Sequence, residues 1–208
     1  MTNLLVIGAT GNIGQPLIRD LQDDPDVHLF AGVHNSEHAK QALSGLKVQV
    51  RRFDFLDPAT FEQALADIDK VFFVRPPQLA KPKEDMYPFL DALVARHVKQ
   101  VVFVSLLGVA HNPMTPHHQI EKRIVELGLP YTFIRPSFFM QNLNTTHQAD
   151  IVGHRDLFCL LGMLALVSLI PVISARLLRL SCAIRHILAK SSTLPAPKRS
   201  PTPMLLRS

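Results

Sequence analysis

Near the start of the chain stands Gly8-Ala9-Thr10-Gly11-Asn12-Ile13-Gly14, a turn whose glycine spacing has a mechanical reading. The short apolar run Leu4–Ile7 feeds into it, and residues at helical spacing (Ile13, Leu17, Ile18, Leu21) leave it. Strand, tight turn and helix start, in that order, aim bare backbone N–H groups at a point where two linked phosphates can meet them. Gly8 permits the turn, Gly11 leaves room for a pyrophosphate against the backbone, and Gly14 lets the helix pack close to the strand. The chemistry suited to such a turn is dinucleotide binding.

A second set of candidates lies at Ala31-Gly32-Val33-His34-Asn35-Ser36. An acid at this point would bind ribose hydroxyls and repel a 2′-phosphate, and none is present. His34, Asn35 and Ser36 can donate hydrogen bonds to a phosphate, and Lys40 follows, so the expectation is NADP, with NAD open. His34 also reads as an ordinary loop histidine. Asp54 is a candidate for the adenine pocket or for a turn cap.

The elements that must position these residues alternate. Strands are expected at 4–7, 27–33, 47–53, 71–74, 101–105 and 131–134. Helices are expected at 12–21, 37–43, 58–66, 84–96 and 116–127, with Ser36 and Asp57 as N-caps and Gly128 closing the last. Strands separated by helices of about ten residues imply parallel pairing through right-handed crossovers, an α/β doubly wound sheet.

The 208 residues and their 47% apolar content suit one ordinary globular domain and exclude a disordered chain. The formal charge of +5 is unevenly spread. From Leu157 onward there is no Asp or Glu but there are seven basic residues, so 1–156 holds 15 basic and 17 acidic residues, a net of −2. That distribution argues against a nucleic-acid footprint. Cys159 and Cys182 make neither a disulfide framework nor a zinc site. Met1-Thr2-Asn3 lacks the basic start of a secretory signal, and the expected compartment is the cytoplasm.

Taken together, GATGNIG at 8–14, FDFLDPATFEQAL at 53–65, VFFVRPP at 71–77, VVFVSLLG at 101–108 and HHQIEKRIVELGLPYTFIRPSFFMQNL at 117–143 resemble the NmrA-like atypical short-chain dehydrogenases, including their NAD(P)H-dependent quinone oxidoreductase members. The most specific part is the last, with His117, Glu121, Gly128, Tyr131, Thr132, Arg135, Pro136 and Asn142 in the family's order. The resemblance implies a Rossmann sheet and an NAD(P) site at Thr10, Asn12, Ile13, His34, Asp54 and Val74-Arg75-Pro76. It places the nicotinamide near Ser105 and near 138–142, and implies hydride transfer to a quinone or small carbonyl acceptor. A non-catalytic, nucleotide-sensing regulator is the alternative. The Tyr-x-x-x-Lys pair of ordinary short-chain dehydrogenases is absent. His118 and Lys122 have its spacing, one helical turn, and either His118 or the neighbouring His117 is a candidate general acid.

Past Asp156 the resemblance stops. In intact relatives this segment supplies half of the substrate pocket. Here 157–175 is uncharged over 19 residues, long enough for a membrane anchor, and a Pro/Ser/Arg/Leu-rich end follows. A reading-frame change explains the segment better. Joining the last base of each codon to the first two of the next lets 167–174 spell FIDTRDI, the stretch through Arg185 spell GAAAAAVLRDP, and 194–208 spell TGPEALTYADAAEI. These are the family's C-terminal signatures, in one frame and in order. The domains expected are therefore 1–156, which binds NAD(P), and 157–208, an aberrant tail in which the substrate lobe is missing or replaced.

Overall fold

Six strands, all parallel, form one sheet in a computed structural model, which describes residues 1–136. The strands are β1 (Thr2–Ile7), β2 (Val27–Val33), β3 (Gln49–Arg52), β4 (Lys70–Val74), β5 (Gln100–Val104) and β6 (Tyr131–Ile134). The helices are α1 (Gly14–Leu21), α2 (Ser36–Ala42), α3 (Ala59–Ala64), α4 (Pro82–Asp85), α5 (Tyr87–Ala95) and α6 (Pro116–Glu126). The sheet order is β3-β2-β1-β4-β5-β6, with every pairing parallel. The chain runs outward from β1 on one side, then crosses back to start β4 beside β1. A crevice must open at the carboxyl ends of these two strands, where the winding reverses.

Strand alternation divides the core between the two faces of the sheet. Leu4 and Val6 of β1 pack with Leu17, Ile18 and Leu21 of α1 and with Ala39 of α2. Leu5 and Ile7 face the other way, toward Phe61 of α3, Phe89 and Leu93 of α5, and Ile120 and Ile124 of α6. Strands buried on both faces carry unbroken apolar runs, which is why Val71-Phe72-Phe73 and Val101-Val102-Phe103 are fully buried. A phenylalanine cluster fills the second face. Phe89 meets Phe53, Phe55, Phe61 and Phe73 edge-on at 5.1–5.8 Å between ring centroids, and Phe73 stacks on Phe103 at 4.7 Å.

Two expectations are corrected. The helix expected over 84–96 is two helices that break at Met86, whose φ is −120°. Pro88 is the cause: it has no N–H for the carbonyl of Glu84, and its ring would strike that carbonyl in a continuous helix. The cap of α2 is Asn35, not Ser36. The Asn35 side-chain oxygen accepts from the N–H groups of Glu37 and His38 at 3.0 and 3.1 Å. Asp57 does cap the start of α3, its carboxylate accepting from the Ala59 N–H at 3.2 Å, and α6 ends just before Gly128.

Candidate functional site

The glycine turn has the geometry its spacing requires. Gly8 sits at φ +84°, a conformation that a side chain would strain. Its carbonyl accepts the Gly11 N–H at 3.0 Å, and the Gly11 carbonyl accepts the Gln15 N–H at 3.2 Å, closing the turn into α1. Gly14 is the tight point, because a Cβ there would lie 2.3 Å from the Gly8 carbonyl oxygen. A Cβ at Gly11 would face the same oxygen at 3.3 Å. The helix thus starts against the strand end, and Gly8 and Gly11 stay exposed, as does Asn12.

Beside this turn opens a cleft of about 620 Å³ at the carboxyl ends of β1, β2 and β4. Gly8 and Thr10 line it from the turn, His34 and Asn35 from the end of β2, Asp54 from beyond β3, and Val74 and Pro76 from the end of β4. Gly11, Asn12, Ile13 and Gly14 form the turn at its edge and are not among its lining residues. Asp54 serves as the turn cap, one carboxylate oxygen accepting the Leu56 N–H at 2.9 Å, while the other pairs with His34 Nδ1 at 2.9 Å. The sequence reading missed His38, Phe53, Phe55, Gln78 and Leu79, which also line the cleft. For His38 a signal was present: it follows His34 by four residues.

Two basic residues that the sequence put at or beside the nucleotide site are turned elsewhere. Arg75 folds over its own loop and donates to the carbonyls of Pro76, Pro77 and Leu79 at 2.8–3.2 Å. Burial lowers the pKa of its guanidinium. Lys40 pairs with Glu37 on the exposed face of α2 at 2.9 Å.

The four expected catalytic residues fall into two places. Ser105, directly after β5, is 1% exposed, and its hydroxyl has no hydrogen-bond partner among the described residues. Its N–H donates to the Ile134 carbonyl at 2.8 Å, which fixes its backbone against β6. Strand alternation puts it on the same side as Phe103, and Phe103 stacks on the His117 ring at 5.8 Å between centroids. Burial, then the nearby positive charge of Arg75, pushes the His117 pKa down to about 4, so its imidazole is neutral at physiological pH. His118 and Lys122 instead line a second, shallower groove between α6 and β6. His118 Nδ1 lies 3.1 Å from the Val109 carbonyl, and the Lys122 ammonium lies 3.8 Å from Glu126. In the same groove Arg135 grips the buried Glu121 with two hydrogen bonds, at 2.9 and 2.6 Å, tying α6 to the end of β6.

The sequence matches the family described as NAD(P)H-binding over residues 8–158. The chain belongs to the NAD(P)H-binding family. The NAD(P)H azoreductase of Xenophilus azovorans is 30% identical over 154 residues, covering 70% of this chain and 51% of that protein. Prestalk A differentiation protein A of Dictyostelium discoideum is 27% identical over 143 residues, covering 68% of this chain and 46% of that protein. NmrA-like and quinone oxidoreductase-like proteins are also among the relatives of this NAD(P)H-binding chain. Among solved structures, the NADPH-dependent quinone oxidoreductase QOR2 of Escherichia coli, complexed with NADPH, superposes with a TM-score of 0.62 at 25% identity. That likeness covers 73% of this chain and 54% of QOR2. The chain spans about half the length of the curated relatives it matches. The family assignment fits the cleft: a Cβ at Gly14 would drive the start of α1 off the Gly8 backbone, and the crevice sits at the switch point between β1 and β4.

The nicotinamide contacts expected at 138–142, the boundary at 156, the uncharged run 157–175 and the frame change lie outside the described residues. Among the described residues, no helix is long and apolar enough to cross a membrane.

Proposed function

We propose that this NAD(P)H-binding protein favours NADPH and that its lineage activity is reduction of a quinone or small carbonyl acceptor. The observation that carries the reading is the turn 8–14, whose glycines keep backbone N–H groups open to a pyrophosphate beside the cleft. When bound, the reduced nicotinamide supplies the hydride. Thr10, Asn12 and Ile13 contact the phosphates, His34, Asn35 and Asp54 hold the adenosine end, and Val74 and Pro76 wall the cleft where it approaches β4. The Ser105 hydroxyl, without a partner among the described residues, hydrogen-bonds at the nicotinamide edge. His117 faces the acceptor as a neutral N–H donor, held flat by Phe103. His118 and Lys122 belong to the α6–β6 groove and act on the acceptor only if it reaches there.

The likeness to an azoreductase and to a quinone oxidoreductase supports a small-molecule acceptor. Assay of NADPH oxidation with a panel of quinones tests the reading, and turnover is the expected result. Tight nucleotide binding with no turnover on any acceptor would favour a non-catalytic, nucleotide-sensing protein instead.

The same proposal includes a cytoplasmic location and a reading-frame change near Phe158 that replaces the substrate lobe. The frame change is supported by three of the family's signatures emerging in one shifted frame, and by a family match that ends at residue 158. The nucleotide sequence across codons 155–170 decides it. Codons unable to spell the family's ending would remove this part of the proposal.

A further inference from the structure

We infer that Arg75 and Ser105 form an oxyanion site, in which the guanidinium and the hydroxyl hold the oxygen of an aromatic acceptor as an arriving hydride turns it into a phenolate. The inference rests on the nucleotide site and the quinone-type acceptor proposed above. The two residues stand side by side. β4 and β5 pair with Val74 opposite Val104, so Arg75 and Ser105 are the next residues on each strand as the chain leaves the sheet. Alternation turns both to the face that carries Phe73 and Phe103. Each brings a buried polar atom without a partner among the described residues: Arg75 Nε and the Ser105 hydroxyl oxygen. Buried polar groups are satisfied almost everywhere in folded proteins, so two neighbouring orphans at the carboxyl edge of a sheet call for an atom that both can bond.

That atom is an anionic oxygen. Arg75 is half-buried and has no carboxylate partner among the described residues; its hydrogen bonds go to the carbonyls of Pro76, Pro77 and Leu79. Buried charges are ordinarily paired, and this one waits for an opposite charge. Glu121 of α6 faces the same core, but Arg135 grips it with two hydrogen bonds. His117, stacked on Phe103, adds a neutral imidazole that can donate a hydrogen bond and supplies no charge. The rim beside these groups is apolar: Leu106 and Leu107, next in the chain, are 40% and 67% exposed. A flat ring seats there better than a hydrated sugar or acid. The quinone takes a hydride from NADPH, whose nicotinamide C–H bond breaks as NADP+ forms. The hydride bonds one quinone oxygen, and an electron pair of the conjugated ring comes to rest on the other oxygen as phenolate, which later takes a proton from water. Both orphan atoms are shielded from solvent, so a cation placed there stabilises that charge more than it would in water.

Para-nitrophenol, which is strongly coloured only as its phenolate, is a direct probe. The full chain saturated with NADP+ is titrated with it below the free probe's own pKa, and calorimetry on the same samples gives the NADP+ affinity. The expected result is a bound probe that is ionised and coloured while the free probe is not. Arg75→Met should weaken probe binding at least about tenfold and leave the bound probe colourless, with NADP+ affinity changed far less. Ser105→Ala leaves the guanidinium in place, so it should weaken binding severalfold and keep the probe ionised. A probe that does not bind, binds as the neutral phenol, or stays ionised and tight in Arg75→Met would overturn the inference, while NADP+ binding keeps the nucleotide site standing. Unchanged affinity in Ser105→Ala would also overturn it, and decides the matter if Arg75→Met does not fold. An equal loss of NADP+ and probe in Arg75→Met would assign the guanidinium to a nucleotide phosphate and reject the oxyanion site. Failure of the parent chain to bind NADP+ would remove the nucleotide site and this inference together.

Discussion

Among single residues, Gly14, Gly11, His117 and Ser105 carry the most weight in stability and nucleotide binding. Gly14 has no room for a methyl group, since its Cβ would sit 2.3 Å from a backbone oxygen that cannot rotate away. Gly14→Ala should cost about 3 kcal/mol in urea unfolding and weaken nucleotide binding by displacing the start of α1. Gly11→Asp should abolish binding with a milder effect on stability, because a carboxylate would meet the pyrophosphate charge. His117 gives a pH signature. Its pKa is depressed in the fold to about 4, so the unfolded chain binds more protons between pH 4 and about 6.5. Stability should fall as pH drops through that window, and His117→Asn should flatten the fall, as read from urea midpoints at pH 7 and pH 5. What was legible in the sequence at this scale is uneven. The glycines were readable because backbone geometry restricts them to one residue type. The head groups of Arg75 and Lys40 were not, because a long side chain goes to whichever partner the fold brings near, and here that partner is a local carbonyl or acid.

At the scale of elements, the strands were the most readable part: the inner ones, buried on both faces, must be short unbroken apolar runs, and the edge strands β3 and β6 follow from the alternation of strand and helix. Val27–Val33 and Tyr131–Ile134 have the expected bounds. The helix over 84–96 misled because its apolar spacing continues across Pro88, while the missing N–H breaks the hydrogen-bond ladder at Met86. The α2 cap moved by one residue because Asn35 and Ser36 are both good caps, and only the turn out of β2 decides between them. Two tests belong here. Thr115 caps α6 by accepting the His118 N–H at 3.3 Å, so Thr115→Ala should cost about 1 kcal/mol in equilibrium unfolding. The Glu121–Arg135 pair joins α6 to the end of β6 from a side chain that is 8% exposed. Glu121→Ala should cost about 2 kcal/mol, because it leaves Arg135 without its bidentate partner.

At the scale of the whole molecule, the winding reversal between β1 and β4 creates the crevice, and the glycine turn stands at its mouth. Fold class was legible because alternating strand and helix patterns leave few topologies. The full lining of the cleft was not, because Phe53 comes from the connection after β3 and Gln78 and Leu79 from the one after β4, which only the folded sheet gathers. The proposed frame change also belongs to this scale. Restoring the shifted frame after Phe158 should add the family's substrate lobe and raise quinone reductase turnover without changing nucleotide affinity; equal turnover in both chains would count against it. The most direct test of the central claim is titration of the purified full chain with NADPH, followed by nicotinamide fluorescence. The account predicts saturable one-to-one binding that Gly11→Asp eliminates. A chain that leaves NADPH fluorescence unchanged, or a Gly11→Asp variant that binds as the parent does, would contradict it.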